Sequence, residues 1–322
     1  MGKIIYLGIY NESLVNENGF MQFWNFHRKQ NNEVLYYSFK EFFFYVPFVI
    51  IKFLNIKLLI PKVKIPKEID ILVMDSSPWT IVYHKAIINY IKPNKVIYRQ
   101  SDPIGEISGY SLLESAENQL IKSCDKVFYV NSMLKNRFGV GASSSFVIRN
   151  PEKINLIPNK DSKKEFKAIY YGKLQIDYSY IKNLALLNPK LKIEIYGNYK
   201  SKNNFPSNVI FNGYQSLEQI HKSLEGAMFF LLPYDDINPV VKYLGVSSKV
   251  INAIINRCII LSNKSREALN LEGIDYLHGA IKLDIKIYND TDFSKNKNIM
   301  KSQFSISDLS SKWINTIENY GK

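Results

Sequence analysis

Cysteine and histidine are scarce in this chain. Its 322 residues include two cysteines, Cys124 and Cys258, and four histidines. Each cysteine lies among apolar neighbours, which favours buried, reduced thiols and argues against a disulfide framework. The histidines have no second ligand at the spacings that metal sites use. We therefore expect no disulfide bond and no bound metal ion.

Several short motifs with well-known chemistry are also missing. Neither half of the chain contains GxGxxG or a GxxxxGK[ST] loop, so neither a dinucleotide site nor a Walker-type site is expected. The stretch Gly141–Ser145 (GASSS) lacks the GxSxG turn that exposes a nucleophile, which gives a serine hydrolase little support. The first residues, KIIYLGIY, form a strand pattern without the apolar core and cleavage site of a signal peptide. We expect a cytoplasmic protein.

Acidic residues are outnumbered by basic ones. The chain has 29 Asp and Glu against 42 Lys and Arg, a net charge of +13, and its pI is about 9.4. This balance indicates an anionic partner, which is a nucleotide, a nucleic acid or a membrane surface. The basic residues are dispersed along the chain and no nucleic-acid-binding motif is present, so we do not expect nucleic acid as the partner.

Apolar runs of strand length alternate with helical stretches along most of the chain. This alternation is typical of an α/β protein with parallel, doubly wound sheets. The predicted strands are Lys3–Tyr10, Glu33–Phe39, Ile69–Asp75, Lys95–Arg99, Lys126–Val130, Ser145–Ile148, Ala168–Tyr171, Lys192–Tyr196, Val209–Phe211, Met228–Pro233 and Cys258–Leu261. Between the halves, Asn150–Lys167 has the Pro-, Asn- and Lys-rich composition of a linker. We predict two Rossmann-like domains, 1–150 and 166–306, followed by a closing C-terminal helix over 307–322.

The segment Lys40–Lys67 combines aromatic residues with regularly placed lysines. Pro47, Lys52 and Lys57 interrupt it too often for a transmembrane helix. An aromatic segment rimmed by lysines is suited to a membrane interface, where the lysines meet anionic lipid. A helix that packs on the sheet accounts for the same composition. Both alternatives remain open at the level of sequence.

The stretch Tyr234–Cys258 joins two apolar strands of the second half. Its polar loop is followed by Ser247 and Ser248, which are typical N-cap residues, and by a predicted helix, Lys249–Asn256. Ligands of open α/β sheets bind beyond the carboxyl ends of the strands, against helix N-termini. A lysine in the first turn opposes the helix dipole, a mildly unfavourable choice that a bound phosphate would offset. The alternative is a lysine on a solvated helix face.

Glycines follow three strands of the second half. They are Gly172, Gly197 and Gly213, and glycine at such a place lets a ligand approach the backbone closely. Together with the Tyr234 loop and the Ser247 helix start, they indicate a crevice suited to a nucleotide diphosphate. Tight turns alone would also account for each glycine.

Two strands of the first half end in acidic residues. Asp75 ends one strand in MDSSPW, and Asp102 follows another in YRQSDP. A carboxylate at a strand end can deprotonate an acceptor hydroxyl if its pKa is suitable. Arg99 is close enough in sequence to hold Asp102 ionised. Asp102 is equally consistent with a turn residue before Pro103.

The pattern YYGKL…IEIYG…VIFNGYQSLEQIHKSLEGAMFFLLPYD…SSKVINAIINRCIIL, over residues 166 to 262, resembles the donor-binding half of GT-B glycosyltransferases. The paired glutamates of the retaining branch are absent, because Lys242 and Ile251 stand in that region. The likeness is closer to the xanthan-type glucuronosyltransferase group, in which a lysine and, three residues later, an amide head the last donor-site helix. Lys249 and Asn252 match this pattern, although that group typically has Gln at the second position. Asn256 and Cys258 depart from the glycine and proline expected there.

The resemblance implies a GT-B fold whose two domains face a cleft, and an inverting, metal-independent glycosyl transfer without a cofactor. The donor would be a nucleotide sugar, with UDP as the expected nucleotide, and the acceptor a bacterial surface glycan or a lipid-linked glycan at an anionic membrane surface. Asp102 is implied as the catalytic base, Asp75 and Arg99 as acceptor-binding residues, and Lys249 as the ligand of the pyrophosphate. The implied donor-binding residues are Gly172, Lys173, Gly197, Tyr234, Tyr243, Ser247, Ser248, Lys249 and Asn252. A catalytically silent nucleotide- or glycan-binding protein of the same fold is the alternative.

Overall fold

The computed structural model describes residues 3–10, 19–45, 59–62, 66, 68–107, 111–138, 145–150, 163–199, 204–237, 240–269 and 271–319. The chain divides into two compact units. The first combines Met1–Pro151 with the C-terminal segment Ile306–Lys322, and the second is Glu152–Ser305. Most of the predicted linker, residues 151–162, lies outside the described residues.

The first unit contains a parallel sheet, and helices alternate with its strands in the sequence. Within the described residues its strands are β1 (Lys3–Gly8), β2 (Val34–Ser38), β5 (Ile69–Asp75), β6 (Lys95–Gln100), β7 (Lys126–Tyr129) and β8 (Ser145–Val147), in the order β2-β1-β5-β6-β7-β8. Its helices are α1 (Gly19–Gln30), α2 (Phe39–Phe42), α3 (Pro78–Ile91), α4 (Ile104–Ile107), α5 (Ser111–Ser123), α6 (Ser132–Phe138) and the C-terminal α12 (Ile306–Glu318). The order runs outward in both directions from β1 and β5, as in doubly wound folds.

Local sequence accounts for how these elements begin and end. The central strands are continuous apolar runs because helices cover both faces of a parallel sheet, and Ile4 to Leu7 are accordingly fully buried. Helix α3 starts with a capping box, in which the Ser77 hydroxyl accepts from the Thr80 N–H at 3.1 Å, and Pro78 occupies its first turn. It stops at Lys92, whose φ of 50° is left-handed.

The second unit repeats this architecture. Its strands are β9 (Glu165–Tyr171), β10 (Lys192–Tyr196), β11 (Val209–Gly213), β12 (Ala227–Leu232), β13 (Ile259–Ser262) and β14 (Leu277–His278), parallel and in the order β11-β10-β9-β12-β13-β14. Its helices are α7 (Tyr178–Leu187), α8 (Leu217–Gly226), α9 (Ser248–Ile255), α10 (Ile285–Asn289) and α11 (Ser294–Phe304), with a 3₁₀ turn at Val241–Tyr243. The prediction of two doubly wound, Rossmann-like α/β domains is therefore confirmed.

The C-terminal helix α12 packs within the first unit, although the chain reaches it from the second. Trp313 is fully buried and its ring stacks on Phe23 at 4.6 Å between centroids. Its indole N–H donates to the Tyr6 hydroxyl at 2.7 Å. The Glu318 carboxylate accepts from Nε2 of His27 at 2.9 Å, so Nδ1 of the neutral imidazole accepts from the Tyr6 hydroxyl, also at 2.9 Å. This chain of bonds ties the last helix to the first strand and first helix.

The aromatic and lysine-rich segment is described only at its two ends. Phe43–Tyr45 (β3) and Leu59–Pro61 (β4) form an antiparallel pair, and Phe43 is fully buried against Phe39. Residues 46–58 lie outside the described residues, so the choice between an interfacial segment and a packed helix stays open. None of the helices described is both long enough and apolar enough to cross a bilayer.

Candidate functional site

Backbone hydrogen bonds of glycines link the carboxyl ends of β9, β10 and β11. The Gly172 N–H donates to the carbonyl of Tyr196, and the Gly197 N–H donates to the carbonyl of Gly213 at 2.8 Å. Gly197 has a φ of 132°, and a Cβ there would collide with the Gly172 carbonyl oxygen and lie 2.5 Å from the Tyr199 ring. Gly197 is thus needed where the backbone of one strand end approaches the next, whereas a Cβ on Gly172 would meet side-chain atoms only.

Lys249 reaches this edge from the first turn of α9. A Cβ built on Gly172 would lie 2.8 Å from the Lys249 ammonium nitrogen and 2.5 Å from the Tyr170 hydroxyl. The same nitrogen lies 5.9 Å from the centre of the Tyr171 ring. The side chain is therefore directed at the ends of the strands and is not on a solvated face of the helix.

The electrostatic setting of Lys249 is unusual for a lysine. The side chain is partly buried, and no carboxylate lies within ion-pairing distance of it in the part of the chain that the structure describes. Desolvation by burial lowers its pKa, and the positive charge of the nearby Lys173 lowers it further. A partly desolvated cation without a counterion, beside a second cation, is well prepared to bind an anion.

The start of α9 offers further hydrogen-bonding capacity. Ser247 is the N-cap, as predicted, but its hydroxyl accepts no bond from the helix backbone. Its Oγ is buried and has no partner among the described residues. The exposed backbone N–H groups of a helix N-terminus bind anions, and here an unused hydroxyl lies at the same place. Ser248 is exposed at the first helical position.

Asn252 and Tyr234 support the site from within the protein. Asn252 lies one turn after Lys249 and its amide donates to the Tyr171 hydroxyl at 3.4 Å. Tyr234 is 3 % exposed, its backbone bridges to Ile176, and its carbonyl accepts from Asn263 at 2.8 Å. Tyr243 is also buried. These three predicted residues are part of the framework, whereas Lys173 is exposed.

Two tyrosines of this site were not predicted. The Tyr199 hydroxyl donates to the Leu174 carbonyl at 2.8 Å and approaches the buried Tyr170 hydroxyl at 3.4 Å. The signal available in the sequence was their placement, since Tyr170 precedes Gly172 by two residues and Tyr199 follows Gly197 by two. Because side chains alternate between the two faces of a strand, Tyr170 lies on the same side of the sheet as the position of Gly172.

In the first unit, Asp75 and Arg99 differ from the expectation. They form a buried ion pair at 2.6 Å, with 1 % and 2 % of their side chains exposed, and Arg99 also donates to Asn150. Burial raises the pKa of Asp75, while the Arg99 guanidinium opposes the rise. The register of β5 and β6 places Asp75 opposite Arg99, and both side chains lie in the interior. Neither charge is presented to solvent for an acceptor to bind.

Asp102 remains exposed to solvent after the end of β6. Protein surrounds its carboxyl closely enough that desolvation raises its pKa, and the charge of Arg99 opposes this rise. The guanidinium of Arg99 bonds to Asp75, so it acts on Asp102 through space only. A carboxylate with a raised pKa is a stronger base than an ordinary aspartate.

Glu117 is a further carboxyl near Asp102 that was not predicted as a site residue. It is 1 % exposed and lies on the apolar face of α5 with Leu113 and Leu120. Burial raises the pKa of Glu117, and the hydrogen bonds that it accepts oppose this. An acidic residue at the i+4 position from one buried leucine and i−3 from another was the available signal.

Comparison with known proteins gives only distant similarities. No family description matches the sequence. No curated protein is similar to it in sequence.

Among the residues described, no group of three or more His, Cys, Asp or Glu side chains is placed to hold a metal ion.

Solved structures resemble the fold at low identity. The UDP-GlcNAc 2-epimerase of Methanocaldococcus jannaschii, in complex with UDP-GlcNAc and UDP, is 13 % identical over all of both chains, with a TM-score of 0.49. The glycosyltransferase SnogD from Streptomyces nogalater is 11 % identical over 98 % of this chain and 99 % of that one, with a TM-score of 0.46. UGT89C1 of Arabidopsis thaliana, complexed with UDP-L-rhamnose, is 9 % identical over 98 % and 94 %, with a TM-score of 0.43. These values are too low to assign chemistry to this chain.

Proposed function

We propose that this protein is an inverting, metal-independent glycosyltransferase of the GT-B type that uses a nucleotide-sugar donor, UDP-linked. The observation that carries the proposal is the Lys249 ammonium group, partly buried without a counterion among the described residues and directed at the glycine-lined ends of the strands. Next to it are the unpaired Ser247 hydroxyl and the N-terminus of α9. A diphosphate supplies the anionic oxygens that all of these groups lack.

The donor half of the mechanism follows from these groups. The leaving group of a nucleotide-sugar reaction is a nucleoside diphosphate, on which negative charge grows as the bond to the anomeric carbon breaks. Lys249, the Ser247 hydroxyl and the first N–H groups of α9 stabilise that charge without a metal ion. At the same edge, the missing side chain of Gly172 makes room for the Lys249 ammonium group and the Tyr170 hydroxyl, and that of Gly197 makes room for the Gly172 carbonyl and the Tyr199 ring.

The acceptor half of the mechanism is assigned to Asp102. Its carboxylate takes the proton from the acceptor hydroxyl, whose oxygen attacks the anomeric carbon as the diphosphate leaves. One displacement of this kind inverts the anomeric configuration. The exposure of Asp102 and its raised pKa support the assignment, because a base must reach its substrate and must bind a proton in the transition state. Asp75 and Arg99 form a buried ion pair, and the Arg99 charge acts on Asp102 through space.

The acceptor is proposed to be a bacterial surface glycan or its lipid-linked precursor. The excess of 42 Lys and Arg over 29 Asp and Glu supports an enzyme that works beside anionic lipid. Binding to vesicles with and without anionic lipid tests this part separately from catalysis.

The test of the proposed function combines donor binding with turnover. The purified protein is screened by thermal shift against UDP, GDP, CMP, ADP and their common sugars without metal, since a ligand at one hundred times its dissociation constant adds about 2.7 kcal/mol of stability. UDP release from the stabilising sugar nucleotide is then measured for the wild type and for Asp102→Asn. We expect the variant to bind the donor normally and to lose turnover.

Two outcomes would contradict the proposal in different ways. Full turnover in Asp102→Asn would remove the base assignment and leave the donor site intact. Donor binding without transfer or hydrolysis, with any glycan acceptor, would favour the catalytically silent binding protein.

A further inference from the structure

The segment that carries Asp102 is fastened on its upstream side to the neighbouring strand end. The Ser101 N–H donates to the Ser76 hydroxyl at 3.1 Å, and the two hydroxyl oxygens are 2.5 Å apart. Ser76 is buried and follows β5 directly, and its own N–H donates to the carbonyl of Arg99 at 3.0 Å. The residue before Asp102 is therefore held by hydrogen bonds at the carboxyl ends of two central strands, β5 and β6.

Glu117 fastens both sides of the same segment. One of its carboxyl oxygens accepts from the Tyr98 hydroxyl and from the Gln100 amide, each at 2.9 Å. The other oxygen accepts from the backbone N–H of Gly105, also at 2.9 Å. Gln100 precedes Asp102 by two residues and Gly105 follows it by three. A single carboxyl thus joins the end of β6 to the start of α4, with Asp102 between the two attachments.

Gly105 is seated close enough to α5 for this contact to form. A Cβ on Gly105 would lie 2.5 Å from the Cα of Glu114 and 3.0 Å from the second Glu117 oxygen. The absence of a side chain is therefore what allows the Gly105 backbone to reach the buried carboxyl.

A carboxyl group on the apolar face of α5 is a costly way to fill space. Leu113 and Leu120 already pack on this face, and an apolar residue between them would avoid the desolvation of a polar group. The hydrogen bonds seen for Glu117 lead to the sheet and to the Asp102 segment. We therefore take these hydrogen bonds to be the reason why a carboxyl group occupies this buried position on α5.

We propose that Glu117 is a positioning residue that holds the Asp102 segment in its reactive geometry. This inference rests on the proposed function, because it takes Asp102 as the base. Glu117 itself is buried and touches no substrate-accessible surface, so it acts through Asp102 and not on the reacting atoms.

The main test is Glu117→Gln, which keeps the volume and removes one acceptor oxygen. Glutamine has one acceptor oxygen, so it cannot accept at both ends of the segment at once. We expect hydrogen–deuterium exchange of the peptide over residues 101–107 to become at least tenfold faster, while peptides of the second unit do not change. With UDP-glucose as the donor and water or glycan as the acceptor, we expect kcat to fall by about 100-fold, the scale of a misplacement of about 1 Å. The KM for UDP-glucose should stay within twofold.

Two further variants keep the proposal testable. Glu114→Gln makes the same chemical change at an exposed position one turn earlier on α5, and it should leave both exchange and kcat as in the wild type. Gln100→Met removes only one of the three bonds, together with an amide oxygen that has no partner among the described atoms. It should therefore fold if Glu117→Gln does not, and lower kcat without changing KM.

The outcomes separate this inference from the proposed function. Unchanged exchange over 101–107 in both Glu117→Gln and Gln100→Met would overturn it. Faster exchange with unchanged kcat would also overturn it, because the bonds would then serve stability alone. If the wild type releases no UDP from any donor, the proposed function fails, and the exchange measurement still decides whether Glu117 holds the segment.

Discussion

Replacing Lys249 by methionine should move stability and ligand affinity in opposite directions. Methionine matches the length of the lysine stem and makes favourable contacts with an aromatic ring such as that of Tyr171. In the free protein the substitution removes a partly buried cation that has no counterion among the described residues. We expect the free energy of unfolding to rise by about 1 kcal/mol, at the low end for a polar group freed from burial. This corresponds to a Tm increase of about 2–4 °C for a domain of this size.

The effect on affinity follows from the hydrogen bond that the ammonium group would donate to a phosphate. Such a bond to a charged group contributes about 1.5–3 kcal/mol, so the Kd for UDP should rise by about 10- to 150-fold. Calorimetric titration with UDP gives the Kd, and a thermal melt without ligand gives the stability. Lys182→Met is the matched control, because Lys182 is exposed on α7, and it should change neither quantity by much.

If Lys249→Met lowers the Tm of the free protein and leaves the Kd for UDP within twofold of the wild type, Lys249 is a structural residue. The anion site would then have to be sought elsewhere in the chain.

Three further predictions concern the framework. Trp313→Phe, followed by chemical denaturation, should destabilise the first unit by about 1–3 kcal/mol, because it removes buried ring area and the bond to Tyr6; an unchanged midpoint would show that α12 is not anchored there. Gly197→Ala should lower the Tm far more than Gly213→Ala, since both have a positive φ but only Gly197 lacks room for a Cβ; equal losses would contradict this. Burial lowers the pKa of His27, so below about pH 6.5 the unfolded chain binds a proton that the folded one does not. The free energy of unfolding should therefore fall on acidification from pH 7. In a pH series of melts, His27→Gln should reduce the slope of stability against pH.

The architecture was accessible from the sequence because the strands are buried on both faces. Continuous apolar runs such as Ile69–Asp75 and Met228–Pro233, set in an alternating pattern, are typical of strands in a parallel sheet, and their observed bounds agree within one or two residues. Helix α11 was not predicted, because the lysines and asparagines of Ser294–Phe304 hide its periodicity. Met300 and Phe304 are the buried residues that fix it to the core.

The candidate site was accessible only in part. The first turn of α9 and the strand-end glycines have local signatures, so Lys249 and Gly197 could be selected from sequence. The ion pair between Asp75 and Arg99 depends on the register between β5 and β6, which places the two residues side by side. The bonds of Glu117 depend on how α5 docks, a tertiary feature that no local pattern encodes.

A crystal structure of the protein soaked with UDP would show the donor site itself. We expect electron density for the diphosphate beside Gly172, with phosphate oxygens within about 3.2 Å of the Lys249 ammonium nitrogen, the Ser247 hydroxyl and the first N–H groups of α9. Well-ordered UDP at any other place in the second unit, with Lys249 and Ser247 untouched, would contradict it.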